Sequence, residues 1–234
     1  MTGSPRPWVR PSPSGDDYPE HVTSHAQPLR RDDLLPDPFA QFLIWFAAAG
    51  QAGVHEPEAM ALATATPDGF PSVRMVLLKG VDERGFVFFT NREGRKGQEL
   101  EENPHAALLF RWEPLGRQLR IEGTVEHLPE AESDAYFDTR SLGSRLGAMV
   151  SPQSRPIASR AWLEGRIAEV AAATAASGAP PVRPAHWGGY LVRPSAFHYW
   201  QHRSDRVHDS FRYAPAAGDP SDAGGGWRIE RLGP

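Results

Sequence analysis

A short segment, Arg74-Met75-Val76-Leu77-Leu78-Lys79, carries a cation at each end of an apolar run. The guanidinium of Arg74 can form planar bidentate contacts with phosphate oxygens, whereas the ammonium of Lys79 acts as a point charge. The two residues are an odd number of positions apart, so a regular strand directs them to opposite faces. Either a bulge brings both to one phosphate, or each serves a different ligand. A plain strand with solvated charged ends is the alternative.

A second pair of cations, Arg95 and Lys96, is flanked by Gly94 and Gly97. We expect this pair where a loop becomes a helix, because the free N–H groups and the dipole of a helix N-terminus favour anions. The chain has neither a Walker-type glycine loop nor a GxGxxG motif. The segment therefore predicts a phosphate cradle of another kind, with a solvated loop as the alternative.

A third group consists of Tyr136, Arg140 and Ser144. Tyr136 and Arg140 are four residues apart and share one face of a predicted helix, and Ser144 lies one turn further on. A phenol, a guanidinium and a hydroxyl that converge would suit the phosphate of a substrate. The alternative is an exposed helix with one incidental arginine.

A fourth group lies near the C-terminus, where Arg206 and His208 are two residues apart and so share one face of a strand or hairpin arm. The alternative is a polar hairpin turn. His202 and His208 are conceivable as a metal pair, but no carboxylate spacing supports one. We therefore expect no bound metal.

Composition narrows the chemistry. The chain has 234 residues, 40% hydrophobic and 23% charged, and a net charge of -4, which gives no nucleic-acid footprint. It contains no cysteine, so disulfides, thiolate metal sites and a cysteine nucleophile are excluded. Redox chemistry would need a bound organic cofactor or a metal held by nitrogen and oxygen ligands. The sequence shows no secretory signal and no bilayer-spanning apolar run, and we expect a cytoplasmic protein.

The predicted elements come mainly as runs of antiparallel strands. Residues 1–34 are rich in Pro, Ser, Gly and Asp, so we expect a largely disordered arm, with order beginning at a helix capped by Asp37-Pro38. Residues 35–234 then form one domain. Its predicted strands cover 60–65, 72–81, 86–90, 105–112, 118–127, 190–201, 211–213 and 227–232, and its predicted helices after the first cover 96–101, 129–141 and 158–175. This order predicts an α+β, mainly β fold: a small closed antiparallel barrel with peripheral helices.

Taken together, these segments resemble the pyridoxine/pyridoxamine 5′-phosphate oxidase family. The resemblance extends from about residue 35 to the C-terminus. Its strongest piece is Arg74-Met75-Val76-Leu77-Leu78-Lys79, and the other pieces follow in the family's order: Phe89-Thr90-Asn91, Gly94-Arg95-Lys96, Arg117-Gln118, Val150-Ser151-Pro152-Gln153-Ser154, Trp187-Gly188-Gly189-Tyr190 and Arg206-Val207-His208-Asp209.

The resemblance implies a split β-barrel that binds flavin mononucleotide (FMN) at the interface of a homodimer. It implies oxidation of pyridoxine or pyridoxamine 5′-phosphate to pyridoxal 5′-phosphate, with O2 as acceptor, and no nucleic-acid or membrane partner. The implied substrate-phosphate residues are Lys79, Tyr136, Arg140 and Ser144, and Arg206 and His208 lie beside the reacting ring as substrate-binding and catalytic residues. The implied flavin residues are Arg74, Met75, Val76, Leu77, Leu78, Lys79, Phe89, Thr90, Arg95, Lys96, Gln118, Gln153, Ser154 and Trp200.

The chain departs from the family pattern at several positions. Ser210 stands where the family usually has a flavin-contacting arginine, and His198 and His202 stand where it usually has Glu and Gly. The residue after Arg140 is Ser141, where the family usually has Pro. These changes keep two alternatives open: a phenazine-biosynthesis-type FMN oxidase on the same scaffold, and a barrel that binds FMN or pyridoxal phosphate without turnover. The phenazine relatives tend to lose the phosphate residues that this chain keeps.

Overall fold

The structure, a computed structural model, describes residues 28–216 and 226–234. In these ranges nine strands and five α-helices follow one another along the chain. The strands are β1 Ala59–Ala65, β2 Pro71–Leu77, β3 Gly80–Asp82, β4 Gly85–Asn91, β5 His105–Trp112, β6 Arg117–His127, β7 Trp187–Gln201, β8 Asp209–Pro215 and β9 Trp227–Arg231. The helices are α1 Pro38–Gln51, α2 Arg95–Glu102, α3 Glu130–Thr139, α4 Leu142–Val150 and α5 Arg160–Ser177.

Helix α1 begins where the sequence predicts. The side chain of Asp37 accepts a hydrogen bond from the N–H of Phe39 at 2.9 Å, and Pro38 occupies the first turn, where its missing N–H costs nothing. The buried face of the helix, with Phe42 and Trp45, packs into the barrel core. The helix thus fills the barrel interior with large aromatic side chains.

The sheet curls into a half-barrel. Its strand order is β2-β1-β5-β6-β7-β4-β3, with every pair antiparallel, and β8 and β9 extend from β7. The two end strands, β2 and β3, are separated along the chain only by Leu78 and Lys79. The N–H of Leu78 donates to the carbonyl of Glu58 beside β1, and the N–H of Lys79 donates to the carbonyl of Val87 on β4. These two residues, the barrel seam, join the opposite edges, and the predicted antiparallel split barrel with peripheral helices is confirmed.

The seam corrects one expectation. A single strand over residues 72–81 was predicted, but the structure has two strands with a break at Leu78-Lys79. The apolar run is continuous in sequence because residues on both sides of the break contact the core. The alternation rule therefore does not relate the directions of Arg74 and Lys79.

The segment after β6 also differs from the prediction. One helix over 129–141 was expected, followed by a loop, whereas α3 ends at Thr139 and α4 follows after two residues. Arg140 is extended (φ -77°, ψ 149°), and the hydroxyl of Ser141 caps α4 by accepting from the N–H of Ser144 at 3.3 Å. Gly143 and Gly147 are weak helix formers, which hides α4 in the sequence.

Order begins earlier than Asp37. In the part of the N-terminal arm that the structure describes, residues 28–34, Leu29 and Leu34 are buried against the barrel. Residues 1–27 lie outside the described residues, and so do residues 217–225 between β8 and β9. In the described part of the chain, no helix is long and apolar enough to cross a membrane.

Candidate active site

A buried lysine marks the first half of the site. Lys96, in the first turn of α2, is only 8% exposed, and its Nζ lies 2.6 Å from Oε1 of Gln153 and 3.1 Å from Oγ1 of Thr90. Burial, together with the nearby charge of Arg74, lowers the pKa of Lys96 to about 8. An ammonium held at a helix N-terminus and partly deprived of water is suited to an anion, which would restore its charge. We call Lys96, Thr90, Gln153 and Arg95 the anion pocket.

Arg74 influences the anion pocket indirectly. Its Nη1 donates to Oγ1 of Thr64 at 2.6 Å, and its Nη2 donates to the carboxylate of Glu99 at 3.2 Å and to the hydroxyl of Ser72. Arg95 donates to the other oxygen of Glu99 at 2.8 Å. Arg74 therefore reaches the anion pocket through its charge and through Glu99, with both of its terminal nitrogens bonded to the protein.

Glu99 is the centre of this network. Its side chain is almost fully buried, and burial alone would raise its pKa. Hydrogen bonds from Ser72, Thr64, Arg95 and Arg74 outweigh burial and lower the pKa of Glu99 to about 2. The carboxylate thus stays charged and fixes α2 against β1 and β2.

A glycine allows α2 to approach the preceding loop. A Cβ on Gly97 would lie 2.1 Å from the carbonyl oxygen of Arg92, closer than any real contact. Only glycine fits without moving the backbone, so the helix N-terminus can sit directly over the loop of residues 91–94.

An aromatic wall, formed by Phe89, Tyr136 and Trp187, lies beside Arg140. The rings of Phe89 and Tyr136 stack at 4.0 Å, and Phe89 stacks on Trp187 at 5.4 Å. The guanidinium of Arg140 lies 4.6 Å from the Trp187 ring centroid, and its buried Nη1 has no hydrogen-bond partner. Burial lowers the pKa of Arg140, an effect that neighbouring Tyr136 partly offsets. A buried N–H without an acceptor is costly, so this wall is suited to an anionic ligand that accepts from it.

The predicted third residue of this group, Ser144, lies on α4, the helix next along the chain. It is exposed, and its hydroxyl lies 2.9 Å from that of Ser141. Lys79 is half-buried at the barrel seam. The structure therefore brings Tyr136 and Arg140 onto one wall. Ser144 lies on α4 and Lys79 lies at the barrel seam.

The second half of the site surrounds Trp200. Its ring centroid lies 4.6 Å from that of His208, and the rings of His202 and His208 are 5.1 Å apart. The N–H of Arg203 donates to Nδ1 of His208 at 3.1 Å, which leaves Nε2 to carry the proton in the neutral ring. Gln118 pairs with Trp200 across β6 and β7.

The loop that connects β7 to β8 presents Arg206 to solvent. Arg206 is exposed and has φ +64°, a left-handed conformation that few non-glycine residues adopt. Such strain is common in binding loops whose surroundings hold them in place. Ser154, beside Gln153, is also exposed and has φ +68°.

The two halves lie at opposite ends of β7. Thr90 pairs with Gly188 near the start of this strand, whereas Trp200 lies twelve residues later. That separation is roughly 40 Å along an extended strand, and the curvature of the barrel shortens it. The predicted flavin residues near β7 therefore fall into two groups, one at each end of this strand.

The remaining predicted flavin residues lie along β2 and the seam. Met75 is 64% exposed and Leu77 is 36% exposed on the outer face, Val76 is half-buried, and Leu78 is buried. Met75 and Leu77, together with Val73 and Phe70, which are also well exposed, form an apolar strip on the barrel surface.

Two departures from the family pattern contact each other. Nε2 of His198 lies 2.6 Å from the hydroxyl of Ser210, which is buried. Burial, with Arg120 nearby, lowers the pKa of His198. Of the arginines near Ser210 in the sequence, Arg203 pairs with Asp209 at 3.9 Å, and Arg212 is exposed. Sequence reasoning missed this pair because it treated the two positions separately, although His198 lies in one predicted strand and Ser210 directly precedes the next.

Comparisons with known proteins show the family of the chain. The family model for pyridoxamine 5′-phosphate oxidase matches residues 46–174, and the model for the pyridoxine 5′-phosphate oxidase C-terminal dimerisation region matches residues 187–234. The chain is 53% identical over 206 residues to a pyridoxine/pyridoxamine 5′-phosphate oxidase of Salinibacter ruber, covering 88% of this chain and 93% of that protein. It is 54% identical over 206 residues to the enzyme of the same name from Rubrobacter xylanophilus, covering 88% and 91%.

A solved structure of a similar protein also matches most of the chain. PhzG from Burkholderia lata 383, in complex with tetrahydrophenazine-1-carboxylic acid, is 33% identical and superposes with a TM-score of 0.80, covering 90% of this chain and all of that one. The chain therefore belongs to the pyridoxamine 5′-phosphate oxidase family of FMN-binding oxidases.

Proposed function

We propose that this protein oxidises pyridoxine 5′-phosphate or pyridoxamine 5′-phosphate to pyridoxal 5′-phosphate, with FMN as cofactor and O2 as acceptor. The observation that carries the proposal is Arg140. Its buried Nη1 lacks an acceptor beside Tyr136, on an aromatic wall that a pyridine ring could approach. A substrate phosphate would supply that acceptor through a charge-assisted hydrogen bond.

The anion pocket fits the phosphate of FMN. Lys96 and Arg95 supply charge at the N-terminus of α2, and Thr90 and Gln153 hold the ammonium of Lys96 in place. FMN, when bound, would accept a hydride from the substrate and pass the electrons to oxygen. The protein's own residues would bind and orient both molecules.

Two subunits would complete each site. Trp200, with Gln118 paired to it on β6, lies at the opposite end of β7 from Gly188, which pairs with Thr90 of the anion pocket in the same chain. A homodimer would bring the Trp200 end of one subunit to the anion pocket of the other. The exposed apolar strip around Met75 and the match to a dimerisation region support this arrangement.

Arg206 and His208 would orient the substrate ring. The hydrogen bond from Arg203 to Nδ1 of His208 leaves a proton on Nε2, so this ring can donate to a substrate oxygen or nitrogen. Arg206, exposed on the same loop, would lie over the reacting carbon. Their contribution is positioning and electrostatics.

A phenazine-type oxidase is the competing function, favoured by the likeness to PhzG and by the paired changes at His198 and Ser210. The ligand in the PhzG structure carries a carboxylate and no phosphate, so it would not need the set of phosphate residues that this chain keeps. A barrel that binds FMN or pyridoxal phosphate without turnover is the third possibility. The retained phosphate residues favour the vitamin B6 substrate over the phenazine type, and turnover separates it from the non-catalytic barrel.

The decisive experiment is a turnover assay on the purified protein with FMN. We expect a yellow protein that forms pyridoxal 5′-phosphate and consumes oxygen when given pyridoxine or pyridoxamine 5′-phosphate. Bound flavin without turnover of either phosphate would reject the proposal in favour of the competing functions. A colourless protein that does not bind added FMN would reject the flavin itself.

A further inference from the structure

The loop of residues 202–208, which carries Arg206 and His208, is anchored at both ends by a buried polar side chain. At its start, Gln201 is 1% exposed; its Oε1 accepts from Arg117 at 3.0 Å and its Nε2 donates to the carbonyl of Leu115 at 2.9 Å. At its end, Asp209 is 6% exposed. The second anchor differs from the first because it carries a charge.

The carboxylate of Asp209 connects three distant parts of the chain. Its Oδ2 accepts from the N–H of Leu29 at 3.0 Å, in the segment before α1. Its Oδ1 accepts from Nη1 of Arg231 at 2.8 Å, at the end of β9. Arg231 also donates from Nη2 to the carbonyl of Leu29 at 3.2 Å, so the three residues form a closed set of contacts.

We propose that Asp209 is a positioning residue for the candidate catalytic loop, which it holds in the working conformation by joining the N-terminal segment and β9 to the residue next to His208. A buried carboxylate is stable only while its donors remain in place. The strained backbone at Arg206 lies between the paired strands β7 and β8, and the side-chain contacts of Asp209 add a fixed point at the end of the loop. The inference rests on the proposed oxidase function for its kinetic consequence, but not for its structural one.

The first test is Asp209→Asn, which keeps the shape but replaces one acceptor oxygen with a donor that faces Leu29 or Arg231. We expect kcat/KM for pyridoxine 5′-phosphate to fall roughly 10- to 100-fold, because small misplacements of a catalytic group have effects of that size. The matched control is Glu126→Gln, which removes an exposed ion pair with Arg193 away from the loop and should leave kcat/KM unchanged.

A second pair of variants isolates the bond to Leu29. Leu29→Pro removes the N–H donor and Leu29→Ala keeps it, and both lose the buried leucine side chain. We expect Leu29→Pro to lower kcat/KM well below the value for Leu29→Ala. Equal values for the two variants would show that the N–H bond does not position the loop. This pair of variants also tests whether the contacts of Asp209 position the loop if Asp209→Asn does not fold.

A spectroscopic measurement separates positioning from general stability. In the wild type, Nδ1 of His208 accepts from Arg203, so 15N spectra should show the single tautomer protonated at Nε2, assigned by its loss in His208→Gln. In Asp209→Asn we expect a mixture of tautomers. Variants that unfold at lower temperature but keep the wild-type imidazole signals and kcat/KM would overturn the proposal. If the wild type turns over neither phosphate, the proposed function fails, while the imidazole spectra still decide the role of Asp209.

Discussion

Nζ of Lys96 and Oε1 of Gln153 lie 2.6 Å apart, although 57 residues separate them in the chain. The contact joins the first turn of α2 to the loop after α4, so the anion pocket forms only when the inserted helices pack against the barrel. The buried ammonium makes the pocket sensitive to pH, because the pKa of Lys96 is about 8.

The affinity for FMN should therefore decrease as the pH rises through 8. In the proposed complex the protonated form of Lys96 binds the phosphate of FMN, so above its pKa the dissociation constant should rise by up to about tenfold per pH unit, until the pKa in the complex is reached. Flavin fluorescence titrations between pH 7 and 9.5 measure this. Lys96→Arg, which stays charged, should remove the dependence; a flat wild-type profile would contradict the prediction.

Arg140→Ala should raise the Michaelis constant for the phosphorylated substrate. The loss of one charge-assisted contact costs roughly 1.5–3 kcal/mol, and kcat should change little because the phosphate is remote from the reacting carbon. Arg166→Ala, which removes an exposed pair with Glu169 on α5, is the control. Steady-state kinetics with an unchanged Michaelis constant would remove Arg140 from the phosphate site.

Glu99→Gln should destabilise the fold in a pH-dependent way. The folded pKa of Glu99 is about 2, below the unfolded value, so its charge contributes stability above the unfolded pKa, and that contribution disappears as the pH falls from about 5 toward 2. The pKa difference corresponds to roughly 3 kcal/mol at neutral pH. Urea unfolding of both proteins at pH 7 and at pH 3 measures this. A difference in unfolding free energy that does not shrink at pH 3 would be inconsistent with the role of the charge.

Two inactive variants should complement each other. Lys96→Met affects the anion pocket, and Trp200→Ala affects the other half of the site. If each site uses both subunits of a twofold dimer, mixed dimers contain one intact site. After random reassembly of equal amounts, about a quarter of all sites should be intact, measured as recovered activity. No recovery in verified mixed dimers would show that each site is built within one chain.

The start of α1 and most strands could be predicted because the signals are local: an Asp-Pro cap, alternation and turn residues. The barrel seam could not be predicted, because residues 72–81 have the pattern of a single strand. In the structure the chain passes from one edge of the sheet to the other within this segment. Helix α4 was hidden by two glycines and is stabilised by its Ser141 cap and by buried Leu146.

The site residues were predicted from family motifs, and the variants described above test their roles. The partners of those residues were not predicted. Glu99 lies 25 residues from Arg74, and His198 lies 12 residues from Ser210, so no local pattern joins them. Such contacts follow from the sheet register and from helix packing, which a single sequence does not reveal.

The central position of β7 has a consequence for how the chain folds. This strand pairs with β6 and β4 in the middle of the sheet, yet its contacts with β6 join residues 63 to 84 positions apart, from His127 and Tyr190 to Arg117 and Gln201. Strands β1 and β2, β3 and β4, and β5 and β6 pair as neighbours along the chain, but β3 and β4 join the rest of the sheet only through β7. We expect the last step of folding to be slow insertion of β7, a high contact-order event, detectable as late amide protection of residues 187–201 in pulsed hydrogen exchange.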